Sequence, residues 1–254
     1  MRSCATRISP KYTSAACSER SAMLLAIRNL NSGYGAKLVV RDVSFEVGAG
    51  KIVALVGHNG AGKTTLLKTM VGVVPPRSGS IEFDGADITR MPVAARVARG
   101  LRLLPEGRGV FADLTVDENI EVVQASNGSV NEQAFRRAEI FELFPILVEK
   151  RSVRAGSLSG GQQQLLALSL AMIGSPKCLL LDEPSIGLAP NLVESLFKRI
   201  RAICDERGVA GILVEQNVAA AMKVADRIII MNGGKIVFDG LPAEASSSNV
   251  WNYF

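Results

Sequence analysis

The sequence has a single histidine, His58, four scattered cysteines and no apolar stretch long enough to cross a bilayer. Cys4, Cys17, Cys178 and Cys204 lack metal-ligand spacing, which with one histidine argues against a zinc site. Nothing in their placement calls for an oxidising compartment, and Cys178, inside an apolar run, reads as a small core residue. The longest largely apolar stretch, near Leu165–Ile173, is about half of the roughly 20 residues that a spanning helix needs. Charge of one sign is scarce too. The net +5 includes three charges from residues 1–22 alone, where Arg2, Arg7, Lys11 and Arg20 face only Glu19. The rest is too little for the basic face that nucleic-acid binding requires. Residues 1–22 also lack the apolar centre of a secretory signal. With only a faint likeness to a transit peptide, they are read as a disordered tail, or as the result of a start codon placed ahead of a true first residue at Met23.

What is present is a globular composition, 48% apolar and 21% charged over 254 residues. That suits one α/β domain with a small inserted subdomain, here residues 23–254 with a helical part at roughly 93–160. LLAIRNL and LVVRDVSFEV read as strands separated by a loop over Asn31–Gly35. KIVALVG is a buried strand ending in glycine, and TTLLKTMVGVV has helical spacing up to Pro75-Pro76. SGSIEFDG reads as a further strand, and AFRRAEIFELF as the clearest helix of the middle region. CLLLD is a fully buried strand, LVESLFKRIRAICDERG a helix, GILVEQ a strand and AAAMKVA a helix. RIIIMNGGKIVFDG is a hairpin turning on Asn232-Gly233-Gly234. Strands alternating with helices predict a parallel-sheet α/β core. No internal repeat is visible.

Residues 57–64, GHNGAGKT, fit the phosphate-loop pattern G-x-x-x-x-G-K-[ST] between a predicted strand and a predicted helix. Glycines at 57, 60 and 62 let the backbone wrap an anion at conformations a Cβ would forbid. The exposed N–H groups and the helix N-terminus attract phosphate oxygens. Lys63 is expected to reach the β- and γ-phosphates and Thr64 to offer its hydroxyl to Mg2+. The expected contacts in this loop are Gly57, Asn59, Gly60, Gly62, Lys63, Thr64 and Thr65. His58 sits at a variable position of the loop and reads as a solvated neighbour of the phosphates.

CLLLDEP, residues 178–184, is an apolar strand ending in two acids. Open α/β sheets place ligands at such strand ends. Asp182 is expected to hold the magnesium, and Glu183 to orient the attacking water and accept its proton.

Residues 158–162, LSGGQ, put serine and two glycines at a helix N-terminus, a second anion site in one chain. GHNGAGKT, LSGGQ and LLLDEP in this order and spacing resemble the ATP-binding cassette (ABC) family over about Leu24 to Asp239. The resemblance implies a P-loop NTPase (RecA-like) core with a small antiparallel β part and an inserted helical subdomain. It implies ATP and Mg2+ as cofactors and a head-to-tail pair of cassettes, in which Ser159, Gly160, Gly161 and Gln162 of one reach the γ-phosphate held by the other. Tyr34 matches the aromatic that stacks on adenine in this family.

Three positions depart from the common pattern. Glu106 stands where the loop between core and helical subdomain usually carries glutamine. The loop Ser185-Ile186-Gly187-Leu188-Ala189-Pro190 lacks its usual aspartate, and Gln216 replaces the switch histidine. These departures, with PEGRGVF, ELFP, SGGQQQ, DEPSIGLAP and VEQN, resemble the ATP-binding subunits of branched-chain amino acid importers and their urea or amide relatives. There the resemblance implies an active subunit with Glu183 and Gln216 at the chemistry. It implies a peripheral place on the cytoplasmic face of the inner membrane. Two permease subunits, a second ATPase subunit and, indirectly, a periplasmic binding protein are its expected partners, and no nucleic acid. The alternative is a soluble ABC ATPase uncoupled from transport. One cassette set and no long heptad segment argue against the translation and repair types.

Overall fold

A computed structural model describes residues 23–107, 109–126 and 136–247. The expectations for residues 1–22 and for Arg108 and the start of AFRRAEIFELF lie outside the described residues. Two sheets organise the chain. The smaller is antiparallel and contains β1 (Met23–Tyr34), β2 (Lys37–Gly48), β4 (Pro76–Phe83) and β5 (Ala86–Asp87), in the order β2-β1-β4-β5. The larger contains β3 (Ile52–Val56), β6 (Leu101–Leu104), β7 (Cys178–Asp182), β8 (Ala210–Val214), β9 (Arg227–Asn232) and β10 (Lys235–Gly240). Its order is β10-β9-β3-β8-β7-β6, parallel except for the antiparallel edge strand β10.

Every residue of β3, β7 and β8 is buried. This is why they read as unbroken apolar runs rather than as alternating patterns. Alternation survives in which face each residue serves. Ile52, Ala54 and Val56 pack with the helices α3 (Val116–Ser126), α4 (Arg137–Leu143), α5 (Pro145–Glu149), α6 (Gly160–Met172) and α7 (Pro190–Arg207). Val53 and Leu55 face the antiparallel sheet and helix α1 (Lys63–Val71). The middle helices therefore share one core with the parallel sheet through Ile120, Ile140, Phe144 and Leu147. The remaining helices are α2 (Val93–Ala98), α8 (Val218–Met222) and α9 (Pro242–Ser247). Among the described residues no helix is long and apolar enough to cross a membrane.

The structure differs from the sequence expectations in three places. The loop expected over Asn31–Gly35 shrinks to the turn at Gly35-Ala36, because β1 continues to Tyr34. It does so with register shifts against both neighbours. Polar side chains fill the broken ladder: Asn31 Nδ2 donates to the Asn29 carbonyl and the Ser78 hydroxyl, and Asn31 Oδ1 accepts from the Asp42 N–H. Helix α1 stops at Gly72, well before Pro75, since Gly72 adopts a left-handed cap with its N–H on Lys68 and Thr69 carbonyls. Finally, the interval richer in helical pattern also contains β6, whose Leu101–Leu104 pair in register with Cys178–Leu181.

Arg96, 2% exposed, ties α2 to the end of α1. Its guanidinium donates to the carbonyls of Thr69, Met70, Thr89 and Met91. Burial lowers its pKa from the ordinary arginine value, against the pull of Asp87. Truncation strands these buried acceptors, so Arg96→Ala is expected to destabilise the fold by about 2–4 kcal/mol. Urea unfolding of the two chains checks this.

Candidate active site

The parallel register brings the C-terminal ends of β3, β6, β7 and β8 to one edge of the sheet. At the end of β3, Gly57 turns at φ +151°, where a Cβ would lie 2.2 Å from the Met231 carbonyl oxygen. Gly62, at φ +104°, caps the start of α1. Only glycine meets both demands without strain. The loop between them lies at the positive end of α1 and closes on itself where the Ala61 N–H donates to the His58 carbonyl.

Lys63, the first residue of α1, is 5% exposed. Its Nζ donates to the Gly57 carbonyl at 2.6 Å and to the His58 carbonyl at 3.0 Å. Burial holds its pKa below the usual lysine value, opposed by the charges of Glu183, Asp182 and Glu106. Next to it the Thr64 hydroxyl donates to Asp182 Oδ1 at 3.2 Å. Burial raises the Asp182 carboxyl, the Thr64 bond opposes this, Glu106 and Glu183 add to it, and Lys63 opposes. Both oxygens come from β7's end and the head of α1, elements that the sheet fixes. Hydroxyl and carboxylate are hard oxygen donors of the kind that Mg2+ takes.

Glu183 follows at φ +51°, a left-handed conformation that costs a non-glycine residue about 1–2 kcal/mol. Its N–H donates to the Val214 carbonyl at 2.9 Å, which ties the turn to β8. Gln216, two residues past β8, donates from Nε2 to both Glu183 oxygens at 2.8 and 3.0 Å, and reaches Asn59 Oδ1 at 3.4 Å. A carboxylate so held beside an anion-binding loop can accept a proton from a water placed between them.

These groups surround a cleft of about 270 Å³. Of the residues expected from the sequence, Asn59, Gly60, Gly62, Lys63, Thr64, Thr65, Glu106, Glu183 and Gln216 line it. Gly57 and Asp182 touch the lining through Lys63 and Thr64. Five further expected residues lie off it. Tyr34 stands half exposed at the tip of the β1–β2 hairpin. Ser159, Gly160, Gly161 and Gln162 form the N-terminus of α6. There Ser159 and Gln162 close a reciprocal capping box, with N–H to side-chain distances of 3.0 and 3.3 Å. Gly160 has nothing within 4 Å of the place where a Cβ would stand. Sequence reasoning missed Val39, an apolar wall of the cleft from β2, and the bond between Gln216 and Glu183. Neither has a sequence signal, since both are meetings of distant segments.

Residues 40–186 match the family model described as ABC transporter. The chain belongs to the ABC transporter family. It is 42% identical, over 84% of its own length and 91% of the relative's, to the high-affinity branched-chain amino acid transport ATP-binding protein BraG of Pseudomonas aeruginosa. It is 35% identical to the probable branched-chain amino acid transport ATP-binding protein LivF of Archaeoglobus fulgidus, over 87% of this chain and 93% of that one. It is also 37% identical to the lipopolysaccharide export system ATP-binding protein LptB of Escherichia coli, over 87% and 91% of the two chains. A solved nucleotide-free ATP-binding cassette from an ABC transporter superposes with a TM-score of 0.80 at 23% identity, covering 91% of this chain and 98% of that one. The likeness to that structure shows the α/β P-loop fold expected from the sequence. This ABC protein is an ATPase and binds nucleotide.

Burial raises Asp182, so its charged form weakens the folded, nucleotide-free ABC chain. The loss is absent below the ordinary aspartate range and grows as pH rises through the folded-state value. Asp182→Asn keeps an acceptor for Thr64 and removes the buried charge. Without nucleotide it is expected to melt above the parent near neutral pH, the gap closing toward about pH 4. Melting curves across pH test this.

Proposed function

We propose that this chain is the ATP-hydrolysing subunit of an importer that takes up branched-chain amino acids or a related amino acid or amide. The observation that carries the chemistry is the convergence of Lys63, Glu183 and Gln216 on one cleft, with Asp182 behind Thr64. In this reading the loop 57–65 binds the phosphates, Lys63 neutralising them and the N–H groups orienting them. Thr64 and Asp182 would hold Mg2+, which when bound offsets charge on the β- and γ-phosphates. Glu183 orients water in line with the γ-phosphate and takes its proton. Gln216 holds the Glu183 carboxylate and has a donor for a phosphate oxygen, a task that needs no titrating group. Glu106, on the loop after β6, faces the same cleft and senses the bound nucleotide. Tyr34 stacks on the base, which its exposure on the hairpin permits.

The reading of Ser159, Gly160, Gly161 and Gln162 as contacts to a neighbouring subunit's nucleotide has two supports. They lie off this chain's own cleft, and Gly160 presents bare backbone. The likeness to BraG supports import of branched-chain amino acids, and the likeness to LptB shows that related chains serve other cargo. Two permeases, a periplasmic binding protein and a place at the cytoplasmic face of the membrane complete this reading, which the likeness to a transport ATP-binding protein supports.

Co-purification from membranes tests the assembly. Recovery with amino acid permeases is expected, and recovery only as a free protein or with permeases for another cargo would replace the reading. Within the recovered complex, Glu183→Gln is expected to retain ATP and lower turnover by about 10²-fold or more. In the isolated chain, Ser159→Arg is expected to bind ATP like the parent, yet to depress hydrolysis once assembled. Lost ATP binding by the isolated Ser159→Arg chain would sink the shared-site arrangement.

A further inference from the structure

One buried acid at this edge has no part in the scheme above. Glu215 stands between Val214, the last residue of β8, and Gln216, and is 2% exposed. Its partners among the described residues are uncharged donors. Oε1 accepts the Ser185 N–H at 3.0 Å, Oε2 accepts the Ser185 hydroxyl at 2.8 Å, and the Asn217 backbone N–H adds a third. Burial pushes its carboxyl above the ordinary glutamate value, against those bonds. A carboxylate this deep without a cation costs stability, so packing alone gives no reason for an acid here.

The reason lies in how β7 ends. Asp182 is still in register with Val214, and the Glu183 N–H still reaches the Val214 carbonyl. Then Glu183 turns left-handed and the strand ladder stops. Beyond that turn the Ser185 N–H finds its acceptor in the Glu215 side chain instead of a strand carbonyl. The loop that carries Glu183 is thereby fastened to the segment that carries Gln216. Glu215 itself does not line the cleft.

We propose that Glu215 is a positioning residue for ATP hydrolysis, holding the loop after Glu183 through Ser185 so that the Glu183 carboxylate and the Gln216 amide meet. The proposal rests on the reading of Glu183 as the base. It requires a defect in turnover with ATP affinity spared, which a general loss of packing does not give.

The test measures steady-state ATPase of the recovered complex, and ATP affinity of the purified full chain, for the parent and five variants. Glu215→Ala is expected to lower kcat about tenfold or more with Kd for ATP within about twofold of the parent. Glu215→Gln is expected to regain most of that, because its carbonyl can accept the Ser185 N–H while its amide donates to the Ser185 hydroxyl. Ser185→Ala should lose turnover severalfold, and add nothing in the Glu215→Ala background. Parent-like kcat in Glu215→Ala, a matching fall in ATP affinity, no rescue by glutamine, or additive losses each overturn the proposal. If Glu215→Ala does not fold, Ser185→Ala decides, and parent-like turnover there overturns it. Glu183→Gln separates the two readings. Unimpaired turnover there removes the base assignment itself, whereas an inactive Glu183→Gln beside an unaffected Glu215→Ala removes only the role of Glu215.

Discussion

Charge compensation at the head of α1 constrains everything built around it. The Lys63 ammonium is almost wholly buried on two backbone carbonyls and faces Glu183, Asp182 and Glu106. One cation against three carboxylates leaves a net negative charge at the head of α1, with Lys63 and Asp182 largely removed from solvent. It persists because rigid elements on three sides hold it: the glycine loop after β3, the kinked end of β7 and the segment past β8. In the proposed reading nucleotide phosphates would add negative charge here, so the balance would favour phosphates and a divalent cation arriving together. Like charges held together in this way are the usual trade of stability for function.

The sequence showed most clearly what is local. GHNGAGKT and CLLLDEP carry their chemistry within eight and seven contiguous residues, and the strand–turn–helix around the first is visible in the same window. Buried strands such as β3 and β7 stood out because both faces are covered. The Asn31–Tyr34 stretch hid its strand, because its polar residues look like a loop and serve instead to patch a bulged ladder. Strand β6 hid because four residues at a sheet edge give no period to read. Above all, contacts between segments far apart in sequence had no local trace. Gln216 could be named from its motif position, but its grip on Glu183, 33 residues away, could not.

The same locality explains the residues off the cleft. Ser159 and Gln162 satisfy each other in a capping box, a task complete within one helix. Gly160 is exposed at the positive end of a thirteen-residue helix, while Gly161 packs against Leu188. The side chains of Ser159 and Gln162 thus close the helix and leave Gly160 open to solvent.

The position of β3 has a consequence for how such a chain comes into being. This strand is hydrogen-bonded on one side to β8 and on the other to β9, both of which begin more than 150 residues later. As the polypeptide leaves the ribosome, the strand that launches the phosphate loop has no sheet neighbours until residues 210–232 emerge. The antiparallel hairpin of β1 and β2 can form early, but the nucleotide pocket is among the last features to mature. Long-range closure of this kind slows folding and exposes apolar strands in the interim. A nascent chain interrupted between about residues 65 and 200 carries the full phosphate-loop motif and none of the strands that flank β3 in the sheet.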